Sequence, residues 1–265
     1  PPQIDGIQVL FVEKDAPATA ISIGYPYDLQ RRHPDYWPML LANHWFGEHR
    51  TFYGRLMNAM RVDRGLNYGD YSYIESYRQG HRTRYALPNI LRRGQFFSIW
   101  IRPVEAANSH FALRQALREL TRLALQGIPE KDFATAKRHL LNYSKLWNQG
   151  LQQRLGMAMD DALTGTDVYI SRIESELARM TLDDVNAAIK RHLQADNVKV
   201  AMVCSNARNL AEAIFVNAQS PIVYASGSAP EGVLEKDLII QDYPLRVTDV
   251  EIIPADEIFR TRAMK

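Results

Sequence analysis

Apolar and polar positions along the chain predict strands and helices that occur in separate runs. Strand-like segments are Ile7–Val12, Thr19–Tyr25, Tyr68–Tyr77, Gln95–Arg102 and Val198–Cys204. Helical spacing indicates Asp35–Phe46, Thr51–Arg64, Ala106–Gln126, Glu130–Trp147, Leu151–Leu163, and a helix that Thr181 caps and that ends near Leu193. Because strands pair in hairpins and helices follow in blocks, we predict an α+β fold. We expect a two-layer αβ sandwich with a mostly antiparallel mixed sheet covered by helices.

The pattern loosens beyond Gln219, where Ser, Gly and Pro become frequent. Two apolar pieces in this part, Leu238–Ile240 and Val250–Pro254, are expected to be extended. We therefore divide the chain into a domain of residues 1–218 and an extended C-terminal tail, residues 219–265, packed on that domain.

Composition narrows the class of protein. The chain has 265 residues, 46% of them hydrophobic, and a net charge of +2, which gives no basic field for nucleic acid. No apolar run is long enough to span a membrane, and Cys204 alone can form neither a disulfide nor a zinc-thiolate site within the chain. The compartment stays open between the periplasm and the cytoplasm of a bacterial cell, with the periplasm favoured. Since Pro1 opens the chain without a methionine, we expect a longer precursor.

Arg61 and Tyr68 form the most informative motif. Arg61 lies in the last turn of a predicted helix that Gly65 ends, and Tyr68 follows at the start of a predicted strand. A tight turn would bring guanidinium and phenol to one surface, where both can donate hydrogen bonds to the carbonyl oxygens of an extended peptide. The alternative is a solvated helix-end arginine beside a tyrosine that fills a strand face.

The histidines do not form a zinc motif. His44 and His49 are five residues apart, so on a regular helix their side chains diverge by about 140° and cannot share one metal ion. The other histidines are expected to be solvated or capping, namely His33, His81, His110, His139 and His192. No Gly-x-Ser-x-Gly elbow, phosphate-binding loop or Cys-His pair is present. We therefore predict no catalytic residue and no metal ligand in this chain.

Several short motifs, in order, resemble the insulinase/pitrilysin family of zinc peptidases, specifically its C-terminal domain that binds no zinc. They are Ala42–Asn43, Phe46–Gly47, Tyr53–Leu56, Met60–Arg61, Gly65–Tyr68, Tyr71–Ser72, Pro129–Phe133, Met180–Val185 and Ile253–Phe259. The resemblance implies that a homologous domain, in the same precursor or on a partner chain, carries the zinc, and that Arg61 and Tyr68 bind the peptide substrate. Some relatives have a glycine-rich loop where this chain has Gly47–Gly54, so His49 and Arg50 are expected to point into the shared chamber.

Three functional hypotheses follow. The first is a substrate-binding, non-catalytic half of a zinc metallopeptidase that cleaves peptides or small proteins. The second is a scaffold subunit that keeps the fold without peptidase work. The third, a nucleic-acid-binding helical domain, is disfavoured by the near-neutral charge. Dimer formation is left open.

Overall fold

A computed structural model of the chain describes residues 3–76, 92, 94–166, 169–229 and 231–260. Its centre is a six-stranded mixed sheet with the order β3-β4-β2-β5-β1-β6. The strands are β1 (Ile7–Glu13), β2 (Ala18–Tyr27), β3 (Asp70–Tyr73), β4 (Gln95–Glu105), β5 (Val198–Cys204) and β6 (Val247–Pro254). The pairs β2–β4, β2–β5 and β3–β4 are antiparallel, whereas β1 runs parallel to β5 and β6. The predicted α+β class is confirmed.

Helices pack on the sheet and supply the other half of the core. They are α1 (Tyr36–Gly47), α2 (Arg55–Met57), α3 (Ser109–Gln126), α4 (Glu130–Ser144), α5 (Leu151–Thr164), α6 (Tyr169–Arg179), α7 (Leu182–His192), α8 (Ala207–Phe215) and α9 (Leu234–Ile240). Alternate strand residues such as Ile21, Ile23 and Ile99 are buried in one cluster with the apolar faces of the helices, while Ser22 is exposed and Trp100 is half-buried. The predicted cap of α7 forms, because Thr181 and Asp184 make a reciprocal capping box.

The C-terminal part differs from the expected extended tail. Leu238–Ile240, predicted to be extended, belongs to helix α9. Val250–Pro254 is extended as predicted, but it lies within β6, which hydrogen-bonds to β1 as an edge strand of the sheet. Helices α6 and α8 were not predicted. A short apolar run does not reveal by itself whether it is a strand or a buried helix, which explains the error at α9.

Near the candidate site, two predicted boundaries shift. The predicted helix Thr51–Arg64 is a single α-helical turn, α2, followed by a π-helical turn, Asn58–Val62. The strand predicted from Tyr68 begins at Asp70, and Tyr77 lies outside the described residues. No helix in the described part of the chain is long and apolar enough to cross a membrane.

Candidate functional site

The turn that carries Arg61 has an ion pair at each end, of which the second, Arg64–Asp237, is buried. At its start, Arg55 binds Glu119 of α3 through two hydrogen bonds of 2.7 and 3.1 Å. At its end, Arg64 binds Asp237 of α9 at 2.7 Å, and both side chains are at most 4% exposed. Between them the backbone forms a π-helical bond from the amide of Asp63 to the carbonyl of Asn58, 2.9 Å long. Arg61 therefore projects from a backbone that is held at both ends.

Gly65 ends the turn as the sequence predicted. Its φ of 65° lies in the left-handed region, which glycine adopts without steric cost. Its amide donates to the carbonyl of Arg61 at 2.8 Å, and the amide of Leu66 donates to the carbonyl of Met60 at 3.1 Å. The chain then reverses toward β3 and carries Tyr68 back beside Arg61.

Asn67 holds the segment that positions Tyr68. Its amide nitrogen donates to the carbonyl of Arg102 on β4 at 2.9 Å and to the carboxyl of Asp70 at 2.7 Å. Its side-chain oxygen accepts from the amide of Gly69 at 3.1 Å. Asp70 is fully buried, and the loss of solvation raises the pKa of its carboxyl to about 7, while the bond from Asn67 lowers it. Tyr68 thus sits on a segment tied to the sheet on both sides.

Arg61 and Tyr68 meet at the surface. The guanidinium carbon of Arg61 lies 3.8 Å from the centroid of the Tyr68 ring and 4.9 Å from that of Phe52. Tyr68 is 66% exposed and Phe52 65% exposed. Within the described residues, neither the Arg61 guanidinium nor the Tyr68 hydroxyl has a hydrogen bond or an ion pair with another side chain. Arg61 is half-buried, and the N–H groups of its guanidinium are donors for carbonyl oxygens.

Phe52 was not identified from the sequence as part of this surface, because it lay within the predicted helix Thr51–Arg64 as one of its apolar positions. The structure places Phe52 before α2, outside any helix. Its exposed ring forms the second aromatic contact of Arg61. The signal that was available is its position nine residues before an arginine, which is too common to single it out.

The histidines bond to partners that the sequence did not reveal. His44 is fully buried and bonds Glu48 through Nδ1 at 3.1 Å and His139 through Nε2 at 2.7 Å. Because Glu48 accepts, Nδ1 of His44 carries a proton. Burial is the main cause that lowers the pKa of His139. His49 is buried and bonds the hydroxyl of Tyr73 at 2.8 Å, whereas Arg50 is exposed. The orientation of these two side chains toward a shared chamber stays a prediction.

His139 and His110 are not simply solvated or capping, contrary to expectation. His110 is 6% exposed, and burial lowers its pKa to about 4. His81 lies outside the described residues. His44 and His49 bond different groups, so they do not converge on one metal position.

One group of three potential metal ligands occurs in the described part of the chain, His33, Asp35 and His192. The expected solvated role is wrong for His192, whose Nε2 lies 2.7 Å from Asp35. Both oxygens of Asp35 also accept from Arg191, at 2.7 and 2.8 Å. The Arg191 bond is the main cause that lowers the pKa of Asp35 to about 2. These contacts join the end of α7 to the start of α1. Both oxygens of the Asp35 carboxylate are engaged in them.

The fold defines the class of the protein as an α+β domain built on a six-stranded mixed sheet. The chain belongs to the peptidase M16 inactive domain family, since the model of that family matches residues 1–140, more than half of the 265-residue chain. This confirms the predicted relationship to zinc peptidases of the insulinase/pitrilysin type. No curated protein matches the sequence.

Solved structures share the fold. A peptidase M16 inactive domain from Pseudomonas fluorescens has 20% identity and a TM-score of 0.60, over 78% of this chain and 45% of that one. A protease from Helicobacter pylori has 12% identity and a TM-score of 0.60, over 77% and 45%. The inactive peptidase domain of a proposed zinc protease from Bordetella parapertussis has 13% identity and a TM-score of 0.52, over 71% and 92%. This chain thus spans less than half the length of the first two proteins.

Proposed function

We propose that this chain is the substrate-binding, non-catalytic half of a zinc metallopeptidase, and that Arg61 and Tyr68 hold the peptide. The single observation that supports this role best is the stacking of the Arg61 guanidinium on Tyr68 at 3.8 Å. The turn that carries Arg61 has an ion pair at each end. The zinc would belong to a homologous domain of the same precursor or of a partner chain. The relatives that are about twice as long leave room for such a domain.

The chemistry divides between the two halves. Zinc on the other domain would supply an activated water for attack on the scissile carbonyl. This chain would position the peptide and supply the positive charge of Arg61. The N–H edge of Arg61 and the hydroxyl of Tyr68 would donate to backbone carbonyl oxygens beside the scissile bond and keep the peptide extended. Stacking on Tyr68 and Phe52 restricts the Arg61 side chain before the peptide arrives, so less conformational entropy is lost on binding.

The test uses the complete peptidase, including its zinc domain, with the variants Arg61→Ala and Tyr68→Phe. Hydrogen bonds with a charged partner contribute about 1.5–3 kcal/mol, so we expect kcat/KM for a fluorogenic peptide to fall about 10- to 100-fold for Arg61→Ala. Tyr68→Phe keeps the ring beneath the guanidinium, so any fall in kcat/KM of this variant measures the contribution of the hydroxyl alone. Val62→Ala is the matched control, because Val62 is 61% exposed on the same turn.

Zinc content and the far-ultraviolet circular dichroism spectrum should be the same in all variants. Wild-type kcat/KM in both Arg61→Ala and Tyr68→Phe would exclude the proposed role of these two residues in peptide binding. If the complete protein also lacked a zinc motif, the scaffold role would replace it.

A further inference from the structure

Helix α5 turns an apolar face to solvent. Four large apolar side chains along this face are between 54% and 77% exposed, namely Leu151, Leu155, Met159 and Leu163. Two exposed alanines lie among them, Ala158 and Ala162. A single exposed leucine is ordinary on a protein surface, whereas a contiguous patch of several large apolar side chains marks an interaction surface. We call these six residues the α5 stripe.

The opposite face of α5 fastens the helix to the domain. Asp160 forms an ion pair with Arg31 at 3.2 Å, and both side chains are 2% exposed. Asp161 accepts from the hydroxyl of Thr166 at 2.8 Å and from the backbone amide of Tyr169 at 3.0 Å. The helix is therefore held from behind, and a partner that docks on the α5 stripe meets a preformed surface.

The spacing within the α5 stripe suits another helix. Leu151, Leu155, Ala158 and Ala162 follow one another at steps of four, three and four residues. At 100° per residue, these four side chains lie within about 60° of arc on one side of the helix. Steps of four and three residues form the narrow seam along which two helices pack side by side. We call these four residues the seam.

The order of leucine and alanine makes the seam complementary to itself. When two copies of α5 run antiparallel, Leu155 faces Ala158 of the second copy, and Leu151 faces Ala162 of the second copy. Each layer then pairs a large side chain with a small one, which fills the space between the helices evenly. A parallel pair would put leucine on leucine at one end and alanine on alanine at the other, which leaves the second end loosely packed.

The charges beside the seam also favour the antiparallel arrangement. Arg154 is exposed and forms no ion pair with another side chain in the described part of the chain. Asp161 lies seven residues further on, and therefore on the same flank of the helix. In an antiparallel pair each flank meets its own counterpart, so Arg154 of each copy faces Asp161 of the other. The Asp161 carboxylate can accept a guanidinium in addition to its two hydrogen bonds.

We propose that α5 is the contact between two copies of this chain, packed antiparallel about a two-fold axis that passes between Leu155 and Ala158. Leucine–alanine layers form its centre, the Arg154–Asp161 pairs close one flank, and Met159 widens the apolar contact on the other. One helix from each copy buries less than the roughly 1,600 Å² of a standard interface, so we expect dissociation in the micromolar range. This contact uses neither Arg61 nor Tyr68, so it goes beyond the proposed peptide binding and does not depend on it.

Sedimentation equilibrium of the 265-residue chain measures the association. We expect a monomer–dimer equilibrium with a Kd of about 1–100 µM. Leu155→Glu should weaken it at least about tenfold, because it places a carboxylate of each copy in the apolar seam. Leu125→Glu is the matched control and should leave the Kd unchanged, since Leu125 is 80% exposed on α3. A wild-type chain that stays monomeric at about 300 µM, or a Leu155→Glu chain that dimerises like the wild type, overturns the proposal. In either case the α5 stripe would be left for another partner, such as the homologous domain.

Cysteine cross-linking tests the orientation and stays informative if Leu155→Glu fails to fold. Leu151→Cys and Ala162→Cys chains are mixed under mild oxidation. The two variants should cross-link to each other and not to themselves, because position 151 lies about 16 Å along the axis from its own counterpart in the antiparallel pair. The natural Cys204 is 1% exposed and common to all samples, so it gives the same background in each. Absence of the mixed cross-link, or cross-linking of Leu151→Cys to itself, overturns the antiparallel contact.

Discussion

The buried carboxyl of Asp70 leads to a prediction about stability and pH that can be tested on this chain alone. Its carboxyl is fully buried next to the Tyr68 segment, and one of its oxygens has no hydrogen-bond partner in the described part of the chain. Burial raises its pKa from the ordinary 3.8 to about 7. Between these two values the folded state therefore binds more protons than the unfolded chain, so the free energy of unfolding falls as pH rises. The stabilisation is complete below pH 4 and lost above pH 7.

The size of the expected change in the free energy of unfolding follows from the difference of about three between the two pKa values. At 1.36 kcal/mol for each unit it amounts to about 4 kcal/mol, of which about 3 kcal/mol is lost between pH 5 and pH 8. The perturbation is Asp70→Asn, which is neutral at every pH and can still accept from Asn67. The assay is urea unfolding at pH 5, 6, 7 and 8, followed by circular dichroism. The difference in free energy of unfolding, wild type minus variant, should fall by about 3 kcal/mol over this range.

Using the difference removes the contribution of the other carboxylates, which are common to both proteins. Asp256→Asn is the control, because the Asp256 side chain is 70% exposed and forms a surface ion pair with Arg260. Its pH profile should run parallel to that of the wild type. If the profile of Asp70→Asn also ran parallel within about 0.5 kcal/mol, the buried carboxyl would not titrate as we infer.

Two further predictions concern the supports of the site. Gly47→Ala should lower the free energy of unfolding by about 1–3 kcal/mol, because a Cβ at this position would lie 2.6 Å from the amide nitrogen of Ser72 on β3. Urea unfolding measures this loss, and wild-type stability of the variant would contradict the close packing of α1 on β3. Asp237→Ala should lower the free energy of unfolding by about 3–5 kcal/mol, because it leaves Arg64 buried without its main partner. Thermal unfolding measures this loss, and a loss below about 1 kcal/mol would show that α9 does not hold the turn that carries Arg61.

Local patterns predicted most of the fold. The helical stripe and acidic N-terminus of α4 predict its start at Glu130, and Thr181 with Asp184 predicts the cap of α7. The strands of the central sheet match alternation in the sequence within a few residues. The α+β class then follows from element order, since hairpin strands and grouped helices have few ways to pack.

What the sequence could not predict depends on tertiary contacts. The turn around Arg61 is π-helical where a regular helix was predicted. Ion pairs of Arg55 and Arg64 hold its two ends, and their partners lie 64 and 173 residues away in the sequence. The His44–His139 bond joins α1 and α4 over 95 residues, so no local spacing indicates it. The meeting of Arg61 and Tyr68 was predictable because Gly65 ends the turn only three residues before Tyr68. Their role in substrate binding stays a prediction.

The most direct test of the central claim is a double-mutant cycle on kcat/KM for peptide cleavage by the complete peptidase. The four proteins are the wild type, Arg61→Ala, Tyr68→Phe and the double variant, all with unchanged zinc content. If guanidinium and phenol hold one peptide together, each single variant loses activity, and the double variant loses less than the sum of the two free-energy changes, with a coupling of about 0.5–3 kcal/mol. Wild-type kcat/KM in all three variants would contradict the account.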